Sequence, residues 1–257
     1  MPDFFANQSL NLPASSEASL IGAWANLASP LVAEAIAAIG FDWLLIDAEH
    51  GPNDVPSVLA QLQAVAAYPV VPVVRIPNHD VSLIKRYLDI GAYNLLVPMV
   101  DSAAQATAII EATCYPGAGI RGVGAGLARA SRWSMQEDYL QTANASVRVI
   151  VQIETERGLE NLDAIMDVAG VDAVFFGPAD IAASKGKLGK PSDPAVQEAV
   201  LQGIGKAAAR NMPAGVFSGD EEFVTQCENA GARLLGVTSD VKLLVANGKR
   251  VLSQYKG

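Results

Sequence analysis

One phrase returns along the chain: Ile39-Gly40-Phe41-Asp42-Trp43, Ile90-Gly91-Ala92-Tyr93-Asn94, Ala169-Gly170-Val171-Asp172-Ala173 and Ala230-Gly231-Ala232-Arg233-Leu234. Each reads as helix end, glycine, new strand, because glycine adopts the left-handed backbone that stops a helix without steric cost. Between these marks, short apolar runs alternate with longer helical patterns, the signature of repeated βα units rather than of a sandwich. The strand candidates are Leu20–Trp24, Trp43–Asp47, Val71–Arg75, Asn94–Val97, Val147–Glu154, Ala173–Phe176, Ala214–Phe217 and Leu234–Val237. Several are apolar throughout, as parallel strands buried on both faces must be. Ser29-Pro30 and Asp193-Pro194 each put a capping side chain ahead of a proline at the first helical position. Eight such units predict an α/β fold, a (β/α)8 barrel.

The 257 residues suit one barrel, so residues 1–257 read as a single domain, with 1–15 an N-terminal extension. With 18 basic against 27 acidic side chains, the net charge of −9 argues against nucleic acid as a partner. No apolar run is long enough for a membrane span and the N-terminus has no signal-like start, so a cytoplasmic location is expected. Cys114 and Cys227 lack the spacing of a metal or redox motif and read as buried thiols.

One segment interrupts the rhythm. Residues 115–133 form a glycine-rich connection longer than barrel loops need, and Gly122-Val123-Gly124-Ala125-Gly126 neither follows a strand nor carries the lysine of a phosphate-binding loop. An active-site or subunit-contact loop is the better expectation.

Barrel chemistry sits at the C-terminal ends of the strands. The second strand ends in Asp47-Ala48-Glu49-His50, the third in Arg75, the fifth in Gln152-Ile153-Glu154, and the sixth runs into Gly177-Pro178-Ala179-Asp180. Gln152 and Glu154, two apart on a strand, share one face. Carboxylates side by side repel unless a cation or a proton lies between them. Oxygen ligands without cysteine suit a hard octahedral ion such as Mg²⁺ or Mn²⁺. Solvated rim carboxylates, or an ion pair with Arg75, are the plainer alternative. His50 follows two acids that could orient it as a general acid or base, or it simply closes a strand. Arg75 ends an apolar strand and should face an anion, either substrate oxygen or Glu154. His79 sits in a turn and reads as a surface or capping residue. A Schiff base needs a lysine at a strand end. Lys85, Lys206, Lys242, Lys249 and Lys256 fall on helices or the tail, while Lys185, Lys187 and Lys190 share a solvated loop, so metal-assisted chemistry is favoured.

At these residues the chain resembles the HpcH/HpaI aldolase family, the metal-dependent pyruvate aldolases. The resemblance spans roughly residues 15 to 250. It is carried by Gly40 through His50, Val74-Arg75, Gly119-Ile120-Arg121-Gly122-Val123, Val151-Gln152-Ile153-Glu154-Thr155 and Phe176-Gly177-Pro178-Ala179-Asp180. It implies a class II aldolase joining or cleaving pyruvate, or a substituted pyruvate such as hydroxypyruvate, and an aldehyde through an enolate. Glu154 and Asp180 would bind the metal, Mg²⁺, Mn²⁺ or Co²⁺, which chelates the 2-oxo acid. Arg75 would hold the keto or enolate oxygen beside Gln152, and His50, paired with Asp47, would move the proton. Main-chain amides near Ala179 and Asp180, beside Gly177 and Pro178, would receive the substrate carboxylate, as helix N-termini favour anions. The resemblance also implies a homo-hexamer with the last helix, Val241–Tyr255, exchanged between neighbours. Two departures stand out: Ala48 where the family phrase has glycine, and Phe217 at the end of strand seven, which could shape the pocket for the aldehyde or a substituted pyruvate. The rival readings are a Mg²⁺-dependent lyase of the phosphoenolpyruvate/isocitrate group and a non-catalytic barrel that binds a carboxylate metabolite.

Overall fold

The structure is a computed structural model and describes residues 9–256. Eight strands follow one another around a closed parallel barrel: β1 (Leu20–Ala25), β2 (Trp43–Asp47), β3 (Val71–Arg75), β4 (Asn94–Val97), β5 (Arg148–Ile153), β6 (Ala173–Phe176), β7 (Ala214–Phe217) and β8 (Leu234–Ser239). The expected (β/α)8 architecture is therefore present. Five strands match the sequence reading at both ends; β1 and β8 run further and β5 is trimmed at both ends, so that Glu154 stands just past its strand.

The punctuation acts as the sequence predicts. Gly40, Gly91, Gly170 and Gly231 all have φ between 91° and 114°, the left-handed region that a Cβ makes costly. Ser29 caps α1 (Pro30–Ala37) by accepting from the Val32 N–H, and Asp193 caps α9 (Pro194–Ala209) by accepting from that of Ala195. Asp80, rather than the exposed His79, caps α3 (Val81–Asp89), accepting from the N–H groups of Ser82 and Leu83.

Two apolar layers hold the barrel. Its interior packs Trp24, Trp43, Leu45, Val73, Leu96, Ile150, Phe175 and Leu234 together with Leu10, whose N–H donates to Asn94 Oδ1 at 2.7 Å. The described part of the N-terminal extension thus reaches the barrel core; residues 1–8 lie outside the described residues. A second layer joins strands to helices, from Ile46 and Val74 around to Val216 and Leu235. Filling the interior with large side chains makes it a core rather than a pore and leaves the strand ends free for chemistry.

The long connection carries two single 3₁₀ turns, Ala125–Leu127 and Arg129–Ser131, ahead of α5 (Tyr139–Ser146). Arg121 staples it to the barrel: 1% exposed, its guanidinium donates to Asp89 at 2.8 Å and to the Tyr139 hydroxyl at 3.2 Å, and packs on the Tyr115 ring. The last helix, α11 (Asp240–Tyr255), behaves differently. Asp240 is its one buried residue, and Leu243 alone of its apolar side chains packs on the Ala23–Ile36 cluster, while Leu244, Val245, Val251 and Leu252 are exposed. Among the described residues no helix is long and apolar enough to cross a membrane; both cysteines are free thiols, Cys227 buried as expected but Cys114, at the end of its helix, only half-buried.

Candidate active site

The register of the strands brings the expected residues to one rim. In the parallel ladder Asp47 pairs with Arg75, and Gln152 with Phe175, one turn of chain below Gly177. A cavity of about 410 Å³ opens at this end, lined by Asp47, His50, Arg75, Gln152, Gly177, Pro178, Ala179, Asp180 and Phe217. Glu154, the remaining expected residue, stands beside the cavity rather than in its lining, with Oε1 accepting from Gln152 Nε2 at 2.5 Å. No residue of the 115–133 connection lines this cavity.

Asp47 and Arg75 form a buried forked pair. Arg75 Nε donates to Asp47 Oδ1 at 2.9 Å and a terminal nitrogen to Oδ2 at 2.8 Å, while the other terminal nitrogen lies 3.0 Å from Glu49 Oε2. Burial pushes the Asp47 carboxyl up, but the Arg75 guanidinium outweighs it and holds the group below the usual carboxylate range. The indole of Trp24 lies within cation–π reach of the same guanidinium. The expected His50–Asp47 contact runs through the main chain, the His50 N–H donating to Asp47 Oδ1 at 3.3 Å. The His50 ring itself is 66% exposed at the mouth, with Nε2 3.9 Å from Glu49 Oε2.

The other side of the mouth gathers carboxylates that repel one another. Glu154 is 2% exposed and its carboxyl is pushed up to about 8, chiefly by burial, with Glu49 and Asp180 adding repulsion against the Met99 N–H and Arg75. Burial likewise raises Glu49, against the pull of Arg75. The Met99 N–H reaches Glu154 Oε2 at 3.0 Å from a left-handed backbone, φ 57°, that a side-chain-bearing residue adopts at a cost. Gly177 is required here, because a Cβ would fall 2.7 Å from Glu154 Oε1. Asp180 lies in the first turn of α8 (Pro178–Ser184), a helix with no side-chain cap on its N-terminal N–H groups. Gln152 Oε1 is buried with no hydrogen-bond partner. A buried carboxylate that ionises reluctantly, repelled by Asp180 and beside an orphaned carbonyl oxygen, has the chemistry that a hard divalent cation satisfies, although among the described residues no three His, Cys, Asp or Glu side chains converge into a ready-made cage. The residues present fit such an ion.

Of the loop lysines only Lys190 is exposed as expected; Lys185 and Lys187 are half-buried and paired, Lys185 with Glu156 at 3.1 Å and Lys187 with Asp193 at 2.7 Å, and none lines the cavity. Sequence reasoning missed Trp24, Asn26 and Met99. The first two sit at the end of β1, where the strand-end rule could have found them; nothing in the sequence announces the Met99 backbone.

A closed βα barrel whose mouth gathers a forked guanidinium, an exposed imidazole and mutually repelling carboxylates is the build of an enzyme that handles a small oxygen-rich anion. Comparison narrows that class. Residues 20–247 match the HpcH/HpaI aldolase/citrate lyase family, and the chain belongs to it. It is 51% identical over 236 residues to the hydroxypyruvate/pyruvate aldolase of Deinococcus radiodurans, covering 92% of this chain and 85% of that one. It is 47% identical over 235 residues to the 4-hydroxy-2-oxo-heptane-1,7-dioate aldolase of Klebsiella pneumoniae subsp. pneumoniae, covering 91% and 89%. The crystal structure of a member of the family from Burkholderia cenocepacia superposes with a TM-score of 0.90 at 41% identity, covering 93% of this chain and 95% of that one. Membership among these aldolases makes the chain a carbon–carbon lyase.

Proposed function

We propose that this protein is a class II aldolase that makes or cleaves the C–C bond between an aldehyde and pyruvate or hydroxypyruvate. The observation that carries the reading is the division of the mouth into a guanidinium side, Arg75 paired with Asp47 and Glu49, and a carboxylate side, Glu154 repelled by Asp180. Glu154 and Asp180 hold the divalent cation, Mg²⁺, Mn²⁺ or Co²⁺, and when bound it supplies Lewis-acid polarisation of the 2-oxo acid. Arg75 presents a fixed cation where negative charge develops on the substrate's C2 oxygen, and its pairing with buried Asp47 means that it need not reorient during reaction. Gln152 holds Glu154 through Nε2 and lines the space beside that oxygen. Gly177 and Pro178 shape the wall, and the uncapped N–H groups at Ala179 and Asp180 receive the substrate carboxylate. His50 Nε2 moves the proton to or from the aldehyde-derived hydroxyl, and its exposed ring meets solvent for exchange. Phe217, 4.4 Å from the Trp24 ring between centroids, forms the apolar wall against which the third carbon of pyruvate or hydroxypyruvate rests.

The test is pyruvate release from a 4-hydroxy-2-oxo acid with and without EDTA, then with Mg²⁺, Mn²⁺ or Co²⁺ restored. Turnover indifferent to chelation overturns the metal assignment. Hexameric assembly with α11 exchanged is supported by that helix's exposed apolar side chains, and a subunit contact at the 115–133 connection by exposed Ile120, Val123, Leu127 and Trp133. Light scattering checks both: a monomer at micromolar concentration removes them. The reading also includes residues 1–257 as one domain and a cytoplasmic location.

A further inference from the structure

The β1–β2 ladder pairs Trp24 with Leu45 and Ala25 with Ile46. Carried one residue further, it sets Asn26 beside Asp47, which is itself paired with Arg75 on β3. Three consecutive strand ends therefore stand in a row on the rim, and their side chains are bonded in that order. Asn26 Nδ2 donates to Asp47 Oδ2 at 2.7 Å, and the same oxygen accepts from Arg75 at 2.8 Å. Asp47, held ionised by Arg75, only accepts, so chemistry assigns the Asn26 amide nitrogen rather than its oxygen to this contact. The other Asp47 oxygen is taken by Arg75 Nε and the N–H groups of Glu49 and His50. Among the described residues Asn26 is thus the one neutral side chain bonded to the Asp47 carboxylate, where it helps to set the rotation of the carboxylate plane that the forked partner must follow.

The main chain of Asn26 is held just as firmly from the far end of the sequence. Its N–H lies 3.0 Å from both carboxylate oxygens of Asp240, and the Leu27 N–H donates to Oδ2 at 2.9 Å. Asp240 is 3% exposed and is the first residue of α11. A register shift between Gly22 and Ala23 on β1, against β8, precedes this clamp. Two residues beyond Asn26, Ala28 has a left-handed φ of 51°, so the turn follows a tight path.

We propose that Asn26 is a positioning residue of the active site: its carboxamide sets the Asp47 carboxylate, and through it the aim of the Arg75 guanidinium at the reacting oxygen, while Asp240 at the root of α11 holds Asn26 in place. The inference rests on the reading of Arg75 as the group that meets developing charge. It predicts that Asn26 acts on the charged state rather than on substrate capture, and so on kcat more than on KM.

The experiment compares Asn26→Ala, Asn26→Asp and Arg75→Lys by steady-state kinetics with pyruvate and one aldehyde, by inhibition with oxalate, a planar mimic of the enolate, and by thermal midpoint. Asn26→Ala should fold normally, since the side chain is half-buried at the rim. It should lower kcat by about 10- to 100-fold, as misaligned groups do, leave KM for pyruvate within about twofold, and weaken oxalate by a similar factor. Asn26→Asp keeps the shape but turns a carboxylate toward Asp47, so its kcat falls further. Wild-type kcat in both Asn26 variants, with Arg75→Lys crippled, overturns the proposal and leaves the reading of the site standing. An Asn26→Asp enzyme as active as wild type beside a weakened Asn26→Ala reduces Asn26 to a space-filler and also overturns it. Wild-type kcat in Arg75→Lys instead overturns the reading of Arg75, and the proposal with it.

Discussion

Asp47 and Glu154 are both acids at the mouth of the same barrel, 0% and 2% exposed. Burial penalises the charge of each, yet their protons respond in opposite directions: Asp47 is held below its usual range and Glu154 rises to about 8. The difference lies in company. Asp47 meets a fork of guanidinium nitrogens, a carboxamide and two main-chain N–H groups. Glu154 meets one main-chain N–H, one carboxamide and two further carboxylates. Desolvation sets what a buried acid costs, and its neighbours decide whether the protein or an added cation offsets that cost. One half of the mouth is electrostatically complete and the other gathers acids that repel one another.

The sharpest way to break the comparison is Glu154→Ala. Pyruvate-forming turnover should fall to background with any of Mg²⁺, Mn²⁺ or Co²⁺, and calorimetric titration should show the metal lost; retained metal-dependent activity would place the cation elsewhere. His50→Ala should lower kcat by about 10²- to 10⁴-fold, the range for a general acid or base, with metal affinity unchanged in the same titration. Loss of the metal there would overturn the division of roles. On stability the two acids should separate. Asp47→Ala takes the forked partner from the buried Arg75 guanidinium and leaves it Glu49 alone, so it should cost about 3 kcal/mol in urea denaturation, the lower end for a broken buried pair, whereas Glu154→Gln in EDTA should cost far less. Phe217→Ala should change the preference between hydroxypyruvate and pyruvate, read as a ratio of kcat/KM, by about tenfold; an unchanged ratio removes Phe217 from the pocket's selectivity.

The smallest effect is a pH slope, and its sign differs between the two acids. The Glu154 carboxyl ionises near 8 when folded, above its ordinary 4.5. The metal-free native state therefore keeps a proton that the unfolded chain gives up, and its contribution to stability fades as pH rises from about 4.5 through 8. Urea midpoints in EDTA should fall across that window and flatten in Glu154→Gln. Asp47 does the reverse: its folded value lies below 3.8, so its contribution is present above that pH and is lost as pH falls through the folded value.

Much of the fold was legible because barrel punctuation is local. Gly40, Gly91, Gly170 and Gly231 need only their own backbone to stop a helix, and Ser29 and Asp193 cap the residues beside them. The strand-end rule points to Asp47, His50, Arg75, Gln152 and Asp180 from position alone, and these line one cavity with Phe217, which the resemblance singles out. It failed where a role depends on a partner far along the chain. Nothing near Met99 says that its N–H will hold Glu154 Oε2. The family phrase suggests a His50 ring paired with Asp47, whereas the contact present is the His50 main-chain N–H, the Asp47 oxygens being engaged by Arg75 and Asn26.

By itself the sequence determined the order and period of the βα units, the residue types on the rim and the excess of acid over base, since propensity, caps and side-chain chemistry travel with each residue. Tertiary structure decided which acid would be paired and which left wanting, and tied the root of the last helix to the first strand through Asp240 and Asn26. The physical reason is that a carboxylate's charge state is a property of its surroundings. Those surroundings are assembled by closing the barrel, which sets residue 26 beside residues 47 and 240.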